Sequence, residues 1–162
     1  MTTPVTRLKG PVHFEYEASA GRDLTRFLRA LVEGRIVGRR CPGCAKVYVP
    51  PRGPCPTCAV FLGEDVPLGD IGTITTYCVV NVPFEGQTMK LPYVYAWVLL
   101  DGADIAFLHL IQGIEATDVR MGLRVRAEWQ PPEKRIPSLE SIAWFVPTGE
   151  PDAPYDAYAA YL

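Results

Sequence analysis

The chain has 162 residues, a length that suits one domain or one small domain with an appended module. Apolar residues make up 48% of it, and no apolar run approaches the ~20 residues of a membrane-spanning helix, which argues against a membrane protein. Its 16 prolines and 14 glycines argue against a helical bundle and favour short strands joined by turns. The net charge of −2 hides an asymmetry, because residues 34–58 contain five basic residues and no acidic residue.

The N-terminal part contains one predicted helix behind an arm that shows no periodicity. Residues 1–10 are polar and lack the apolar run of a signal peptide, and the arm ends with Phe14 and Tyr16. The arm is either partly ordered or becomes ordered against a partner. Helical spacing of apolar residues then begins at Leu24, and Gly34 is placed to end the helix. A helix this short must dock, either on its own chain or on a partner. The apolar stripe consists of Leu24, Phe27, Leu28, Leu31 and Val32.

Two Cys-x-x-Cys pairs, Cys41/Cys44 and Cys55/Cys58, follow the helix with ten residues between them. Each pair delivers two sulfurs to one side, and a short hairpin over residues 45–54 brings the pairs opposite each other, as a tetrahedral metal requires. The spacing is shorter than the roughly 15–20 residues of the usual zinc-ribbon template. We predict a structural zinc held by all four cysteines, with no position left for catalysis.

Three other interpretations of these cysteines are weaker. Iron in a rubredoxin-like cage is the alternative metal. Disulfides suit an oxidising compartment, and the polar start of the chain gives no sign of secretion. A redox Cys-x-x-Cys usually occurs once, whereas here the motif is doubled.

The pattern changes to β-strands after the cysteines. Residues 71–82 are rich in Ile, Thr, Tyr and Val, and Gly69 and Gly72 lie near the start, where a barrel strand must bend. Residues 115–121 predict a short helical turn. Five strands with a small helix between the third and the fourth are the order of an OB-fold barrel, although a small open sandwich has the same strand count. The predicted strands cover residues 71–82, 93–100, 103–111, 123–129 and 141–146, with the dipeptide Asp101-Gly102 in a tight turn.

Isolated residues in the strands do not form a catalytic set. His109 shares an apolar strand face with Phe107 and Ile111, so we interpret it as a barrel residue, with a ligand-facing or partner-facing role as the alternative. Cys78 is interpreted as a buried, inert thiol. The sequence contains no Gly-rich phosphate loop, Ser/His/Asp order or paired-carboxylate motif, so we expect no catalytic residues.

The C-terminal segment carries tyrosines at every third position, namely Tyr155, Tyr158 and Tyr161. A strip of tyrosines suits an interface, so we expect it to dock on a partner or on a second copy of the chain. Packing of the segment back onto the barrel is the alternative.

Several short motifs occur together along residues 20–147, and their combination is specific although each one is weak alone. They are Glu33-Gly34-Arg35, the two cysteine pairs, Pro50-Pro51-Arg52, Gly69-x-x-Gly72-Thr73, Leu91-Pro92-Tyr93, the run from Asp118 to Val125, and the run from Ile142 to Pro147. In this combination the chain resembles the zinc-ribbon/OB-fold family labelled domain of unknown function 35. Ala45 and Ala59 depart from the family, which commonly has glycine after the second cysteine of a pair.

The resemblance implies a mainly β fold with an N-terminal helix, a rubredoxin-like zinc ribbon and a five-stranded OB-fold barrel. We therefore divide the chain into an arm and amphipathic helix at residues 1–34, a ribbon at 35–62, an OB-fold at 63–147 and, outside the resemblance, a Tyr/Pro-rich tail at 148–162.

The resemblance also implies a function. Members of the family look like accessory subunits of thiolase-fold enzymes, including thiolases, acyltransferases and lipid-transfer-protein-like aldolases that shorten steroid side chains. The implied partner is a thiolase-like catalytic subunit in a heterotetramer, where the small subunit stabilises the complex and helps form the channel for an acyl-CoA thioester. We expect such a complex in the cytoplasm. Arg39, Arg40 and Arg52 are the candidate contacts for the CoA phosphates.

The alternative function is binding of single-stranded nucleic acid by the OB-fold. Basic residues gather in the ribbon, and Tyr77, Tyr93, Tyr95 and Trp97 could stack on bases. The pI near 5.7 argues against this alternative, because nucleic-acid-binding domains usually have a basic surplus.

Overall fold

A computed structural model describes residue 10 and residues 13–162 of the chain. The predicted arm therefore lies partly outside the described residues, and residues 13–19 are exposed and have no regular structure. None of the helices in the described part is long and apolar enough to cross a membrane. The elements are α1 (Gly21–Val32), β1 (Ile36–Arg40), β2 (Val47–Tyr48), β3 (Asp65–Leu68), β4 (Ile71–Val80), β5 (Tyr93–Leu100), β6 (Phe107–Ile111), β7 (Arg124–Trp129) and β8 (Ile142–Pro147), with short 3-10 turns at Pro132–Lys134, Leu139–Ser141, Tyr155–Ala157 and Ala159–Tyr161.

Helix α1 ends as its sequence predicts. Gly34 has a φ of 75°, its amide donates to the Leu31 carbonyl at 3.0 Å, and the Arg35 amide donates to the Ala30 carbonyl at 2.9 Å. These two bonds form a Schellman motif, which needs a left-handed residue after the helix and so favours glycine. The apolar stripe packs into the chain's own core, where Phe27 and Leu31 are buried. Helix α1 therefore docks on its own chain rather than on a partner.

A small sheet with the order β2-β1-β3 connects the helix to the cysteine segment. Strand β3 was not predicted, because Asp65–Leu68 contains Pro67 and alternates between exposed and half-buried residues. Proline cannot donate to a sheet ladder, so the segment is tolerated as an edge strand beside the central β1. The predicted domain boundary between residues 62 and 63 separates β3 from β1, the strand with which it pairs.

The predicted five-stranded barrel is confirmed as a closed barrel with the order β4-β5-β6-β8-β7. All its neighbours are antiparallel except β6 and β8, which pair in parallel. Gly72 lets two strands approach closely, since a Cβ there would lie 2.6 Å from the Leu99 carbonyl oxygen. Ile74, Val98 and Phe145 are fully buried inside the barrel. The fold is thus the OB-fold that the strand order predicts.

Two local predictions in the barrel were wrong. Strand β6 begins at Phe107 rather than at residue 103, because the chain before it contacts the cysteine segment. There, the Asp104 amide donates to the Val47 carbonyl at 2.9 Å, and the Val47 amide donates to Asp104 Oδ2 at 2.8 Å. Residues 115–121 form no helix, and one turn closes where the Asp118 amide donates to the Glu115 carbonyl at 2.9 Å.

The C-terminal segment packs back on the barrel, which divides the predicted tyrosine strip. The Ala153 amide donates to the Gly122 carbonyl at 2.8 Å, and Tyr158 is only 6% exposed. Gly122 has a φ of 86°, and a Cβ there would lie 2.9 Å from the Ala153 carbonyl oxygen. Tyr155 and Tyr161 remain exposed. Of the three tyrosines, therefore, only the outer two are available to a partner.

Candidate metal centre

The two cysteine pairs lie in two turns of the same construction. In the first turn the Cys41 amide donates to the Lys46 carbonyl at 2.8 Å, and the Ala45 amide donates to the Cys41 carbonyl at 2.9 Å. In the second turn the Cys55 amide makes the same bond to Val60 at 2.8 Å, and the Ala59 amide donates back to Cys55 at 2.8 Å. Each turn therefore points both of its sulfurs to one side.

The two turns bring the four sulfurs together. All four Sγ atoms lie within 4.8 Å of one another, and those of Cys44 and Cys55 are 3.7 Å apart. With Zn–S bonds of about 2.3 Å, the edge of a ZnS₄ tetrahedron is about 3.8 Å, whereas a disulfide needs about 2.05 Å. The four cysteines are called the cage below. A side chain at Gly43 would crowd the cage, because a Cβ there would lie 3.1 Å from Cys58 Sγ. The geometry fits a tetrahedral metal and does not fit a disulfide.

Hydrogen bonds around the cage favour thiolates. The amides of Gly43 and Cys44 donate to Cys41 Sγ at 3.3 and 3.5 Å. The buried Tyr48 hydroxyl lies 3.1 Å from Cys55 Sγ, and its hydrogen bond lowers the pKa of Cys55 to about 6. The same contact, with burial, raises the pKa of Tyr48 to about 12. Tyr48 is a functional residue that the sequence reasoning missed, because nothing separates it from its apolar neighbours.

The cage cannot hold four negative charges without a cation. When no metal is bound, a hydrogen bond to Cys44, together with burial, raises the pKa of Cys58 to about 12. A bound dication offsets the repulsion and makes all four thiolates stable at neutral pH. All four positions are cysteine, which supports a structural zinc and leaves no open position for a substrate.

The predicted phosphate-binding arginines do not converge on one point. Arg39 is almost buried and joins the helix to the small sheet, with Nη1 2.6 Å from Asp23 Oδ1. Its Nε lies 3.1 Å from Asp65 Oδ1, which is close enough for an ion pair although the alignment makes no hydrogen bond. Arg40 bonds to Glu64 at 3.1 Å.

Arg52 is exposed beside a groove of about 390 Å³ that includes Phe61 and the start of α1. A phosphate at Arg39 would have to displace a carboxylate, whereas Arg52 is open to solvent. CoA contacts by Arg39, Arg40 and Arg52 stay a prediction.

His109 lies in the barrel wall, and backbone groups occupy both of its ring nitrogens. The Leu110 amide donates to Nδ1 at 2.9 Å, which leaves the proton on Nε2, 3.3 Å from the Leu139 carbonyl. Burial lowers the pKa of His109, so the ring is neutral at pH 7. This agrees with its interpretation as a barrel residue.

Cys78 is exposed, so the prediction of a buried thiol was wrong. The pairing of β4 with β5 slips between Ile74 and Thr76, where a bulge inserts one extra residue. Such a slip moves every following side chain to the opposite face of the strand. Cys78 therefore lies opposite the exposed Tyr95 on the outside of the barrel.

Comparisons with known proteins match the ribbon and the barrel to two separate family models. Residues 29–61 match the family model of the ChsH2 rubredoxin-like zinc ribbon domain, and residues 65–130 match that of the ChsH2 C-terminal OB-fold domain, so that the two models together cover more than half of the chain. A DUF35 domain-containing scaffold protein of Methanocaldococcus jannaschii is 35% identical over 94 residues. This match covers 57% of the chain and 65% of that protein, which is less than two thirds of its length.

Two solved structures share the fold. The structure described as an Ltp2-ChsH2(DUF35) aldolase matches with a TM-score of 0.61 and 24% identity, over 81% of this chain and 98% of that one. A DUF35 protein of unknown function from Sulfolobus solfataricus matches with a TM-score of 0.53 and 22% identity, over 63% and 74% of the two chains. From its ribbon and barrel, and from these matches, the chain belongs to the DUF35 family, in the form that joins a ChsH2-type zinc ribbon to a ChsH2-type OB-fold.

Proposed function

We propose that this chain is a non-catalytic, zinc-containing accessory subunit of a thiolase-fold enzyme that acts on acyl-CoA thioesters. The observation that carries the proposal is the likeness over 98% of a solved chain that is described as part of an Ltp2-ChsH2(DUF35) aldolase. The enzyme class is a thiolase, an acyltransferase or a lipid-transfer-protein-like aldolase. The catalytic groups belong to the thiolase-like partner, in a heterotetramer of two copies of each subunit.

The cysteine centre supports a structural role for this subunit. Cys41, Cys44, Cys55 and Cys58 are the proposed ligands, and a metal held by four thiolates has no position for a substrate or water. When bound, the metal supplies rigidity to the ribbon. This chain's own residues then orient the ribbon, since Asp104 of the barrel bonds to the backbone of Val47 in both directions.

Arg52 is the residue that we propose for a CoA phosphate at the edge of the shared channel. It is exposed and lies beside the groove that contains Phe61. An exposed guanidinium can bind a phosphate with two parallel hydrogen bonds and needs no displacement of a carboxylate.

The main support for the nucleic-acid alternative was the positive charge of the ribbon, and most of this charge is paired. Arg35, Arg39 and Arg40 each pair with acidic side chains, so little of the local positive charge is free to contact a phosphate backbone. Backbone contacts of this kind supply most of the affinity in non-specific nucleic-acid binding.

Co-expression with the thiolase-like protein encoded nearest to this chain tests the proposal. We expect the two proteins to co-elute in size exclusion, with about one zinc per copy of this chain. Acyl-CoA turnover should then require both chains. Elution of this chain as a lone monomer, with full activity of the thiolase-like protein without it, would contradict the accessory role.

A further inference from the structure

We infer that the outer surface of β4, β5 and β6 is where the catalytic subunit docks, and this inference rests on the proposed function. The surface, called the β4–β6 face below, is defined by the register of the three strands. Trp97 lies between Thr76 and Leu108, and Tyr95 lies between Cys78 and Leu110. These six residues point outward in two adjacent rows.

The face is uncharged and rich in aromatic residues. Trp97 is 46% exposed and Leu108 is 47% exposed, and the face contains no Lys, Arg, Asp or Glu. Elsewhere on the same barrel β7 turns Arg126 and Glu128 outward, which is the ordinary solution for a strand that faces water. A contiguous apolar patch of this kind on a soluble protein marks a binding surface. Its tryptophan and tyrosine match the residues that dominate protein interfaces.

The shape of the face favours a folded protein as the occupant. A groove of about 550 Å³ lies on one side of Trp97 and is shared with Lys46 of the ribbon and Tyr161 of the C-terminal segment. A second groove of about 430 Å³ is lined by Tyr95, Leu108 and Leu139. The barrel is closed, so no free strand edge is offered to an extended peptide. The occupant must therefore present a preformed surface rather than add a strand to the barrel.

The composition of the face decides between classes of partner. The six residues of the face include no basic side chain, and Lys46 is the single basic residue in the adjoining first groove, which argues against a phosphate backbone as the occupant. The first groove joins the ribbon, the barrel and the C-terminal segment. A partner seated there contacts all three parts at once. This gives the exposed Tyr161 a role at the edge of the interface and assigns the face to the catalytic subunit of the proposed complex.

Cys78 lies on this face and serves as a built-in reporter. It is the exposed cysteine, whereas the other four lie in the metal cage. In the free chain we expect N-ethylmaleimide to alkylate Cys78 readily. With the co-expressed partner at about ten times the Kd, the rate should fall by roughly tenfold, as mass spectrometry of the adduct can measure. A Cys78→Ser/Arg126→Cys variant is the matched control, and its new thiol should react equally fast in the free chain and in the complex.

A pair of tryptophans offers a second test. Trp97→Ala should weaken the complex by about 30-fold or more, the loss typical of an interface hot spot. Trp144 is similarly exposed, at 40%, but lies on β8 outside the face, so Trp144→Ala should bind as the wild type does. Both substitutions remove an exposed ring, and zinc content and circular dichroism check that both variants are folded.

The outcomes separate this inference from the proposed function. A complex that forms while Cys78 reacts at its free rate, with equal binding by the two tryptophan variants, overturns the docking face and leaves the subunit role intact. Absence of any complex overturns both. Protection of Cys78 in the chain alone, with a dimer in light scattering, assigns the face to a second copy and also overturns the inference.

Discussion

Replacing Cys55 by serine should unfold the ribbon and leave the barrel folded. The ribbon core consists of Cys41, Tyr48, Cys55 and Leu62, so only two of its four buried residues are not metal ligands. Burial of Tyr48 and Leu62 contributes about 1.5–3 kcal/mol each. Structural zinc contributes about 10–16 kcal/mol of apparent binding free energy in zinc-finger peptides. The metal therefore contributes more to the stability of the ribbon than burial of Tyr48 and Leu62 does.

The barrel does not depend on the metal in this way. Its core joins buried residues of β4–β8 and of α1 with only Ile36 and Val49 from the ribbon, and none of them is a cysteine of the cage. In the Cys55→Ser variant we expect zinc to fall from about one per chain to near zero. Hydrogen exchange should show loss of protection at the amides of Cys41 and Ala45, which are bonded within the first turn, while the amides of β5 stay protected.

Cys78→Ser is the matched control, because this thiol is exposed and lies outside the cage. Its zinc content should equal that of the wild type, and its free energy of unfolding should change by less than about 0.5 kcal/mol. The reasoning fails if the Cys55→Ser chain retains one zinc and the exchange pattern of the wild type.

Three further changes test other contacts. Arg39→Met should lower the free energy of unfolding by about 2–4 kcal/mol in urea titrations, because it removes the close partner of Asp23, which is almost buried like Arg39. Tyr48→Phe removes the hydrogen bond to Cys55 Sγ and should weaken zinc binding by roughly 10–100-fold in chelator competition. Burial lowers the folded pKa of His109, so between that pKa and about 6.5 the unfolded chain binds more protons and stability falls with decreasing pH. His109→Gln should flatten this loss between pH 7 and 5.

Each of these three predictions has an outcome that would contradict it. Arg52→Gln is the control for Arg39, since the exposed Arg52 should tolerate the change within about 0.5 kcal/mol, and equal costs at the two arginines would refute the bridging role. Unchanged zinc affinity in Tyr48→Phe would show that the hydroxyl does not support the cage. A His109→Gln chain with the same acid sensitivity as the wild type would assign that sensitivity to other groups.

The sequence predicts best what local patterns determine. The doubled Cys-x-x-Cys brings its sulfurs together through two self-contained turns, and helix α1 follows from its apolar period and from Gly34. The strands of the barrel were found because their composition and turns are local as well. The fold class and the metal centre therefore need little more than short-range reasoning.

The errors arose where distant residues decide the structure. Cys78 lies on the outer face of the barrel and not on the predicted inner face because of a bulge at residues 74–76, which no local pattern indicates. Strand β6 started late because Asp104 bonds to Val47 of the ribbon, and β3 forms only because β1 offers it an edge. Arg39 looked free to bind a phosphate because its partners Asp23 and Asp65 are distant in sequence.

The position of helix α1 affects how the chain folds during synthesis. The helix begins near the N-terminus, yet it packs against the 3-10 turn Leu139–Ser141, close to the last barrel strand. Strand β1, which also packs against the helix, follows it directly, but on the ribosome the turn Leu139–Ser141 leaves the exit tunnel much later. Until then the stripe is open to chaperones or to other nascent chains. Chains truncated before residue 139 should accordingly aggregate, whereas the 162-residue chain buries Phe27 and Leu31.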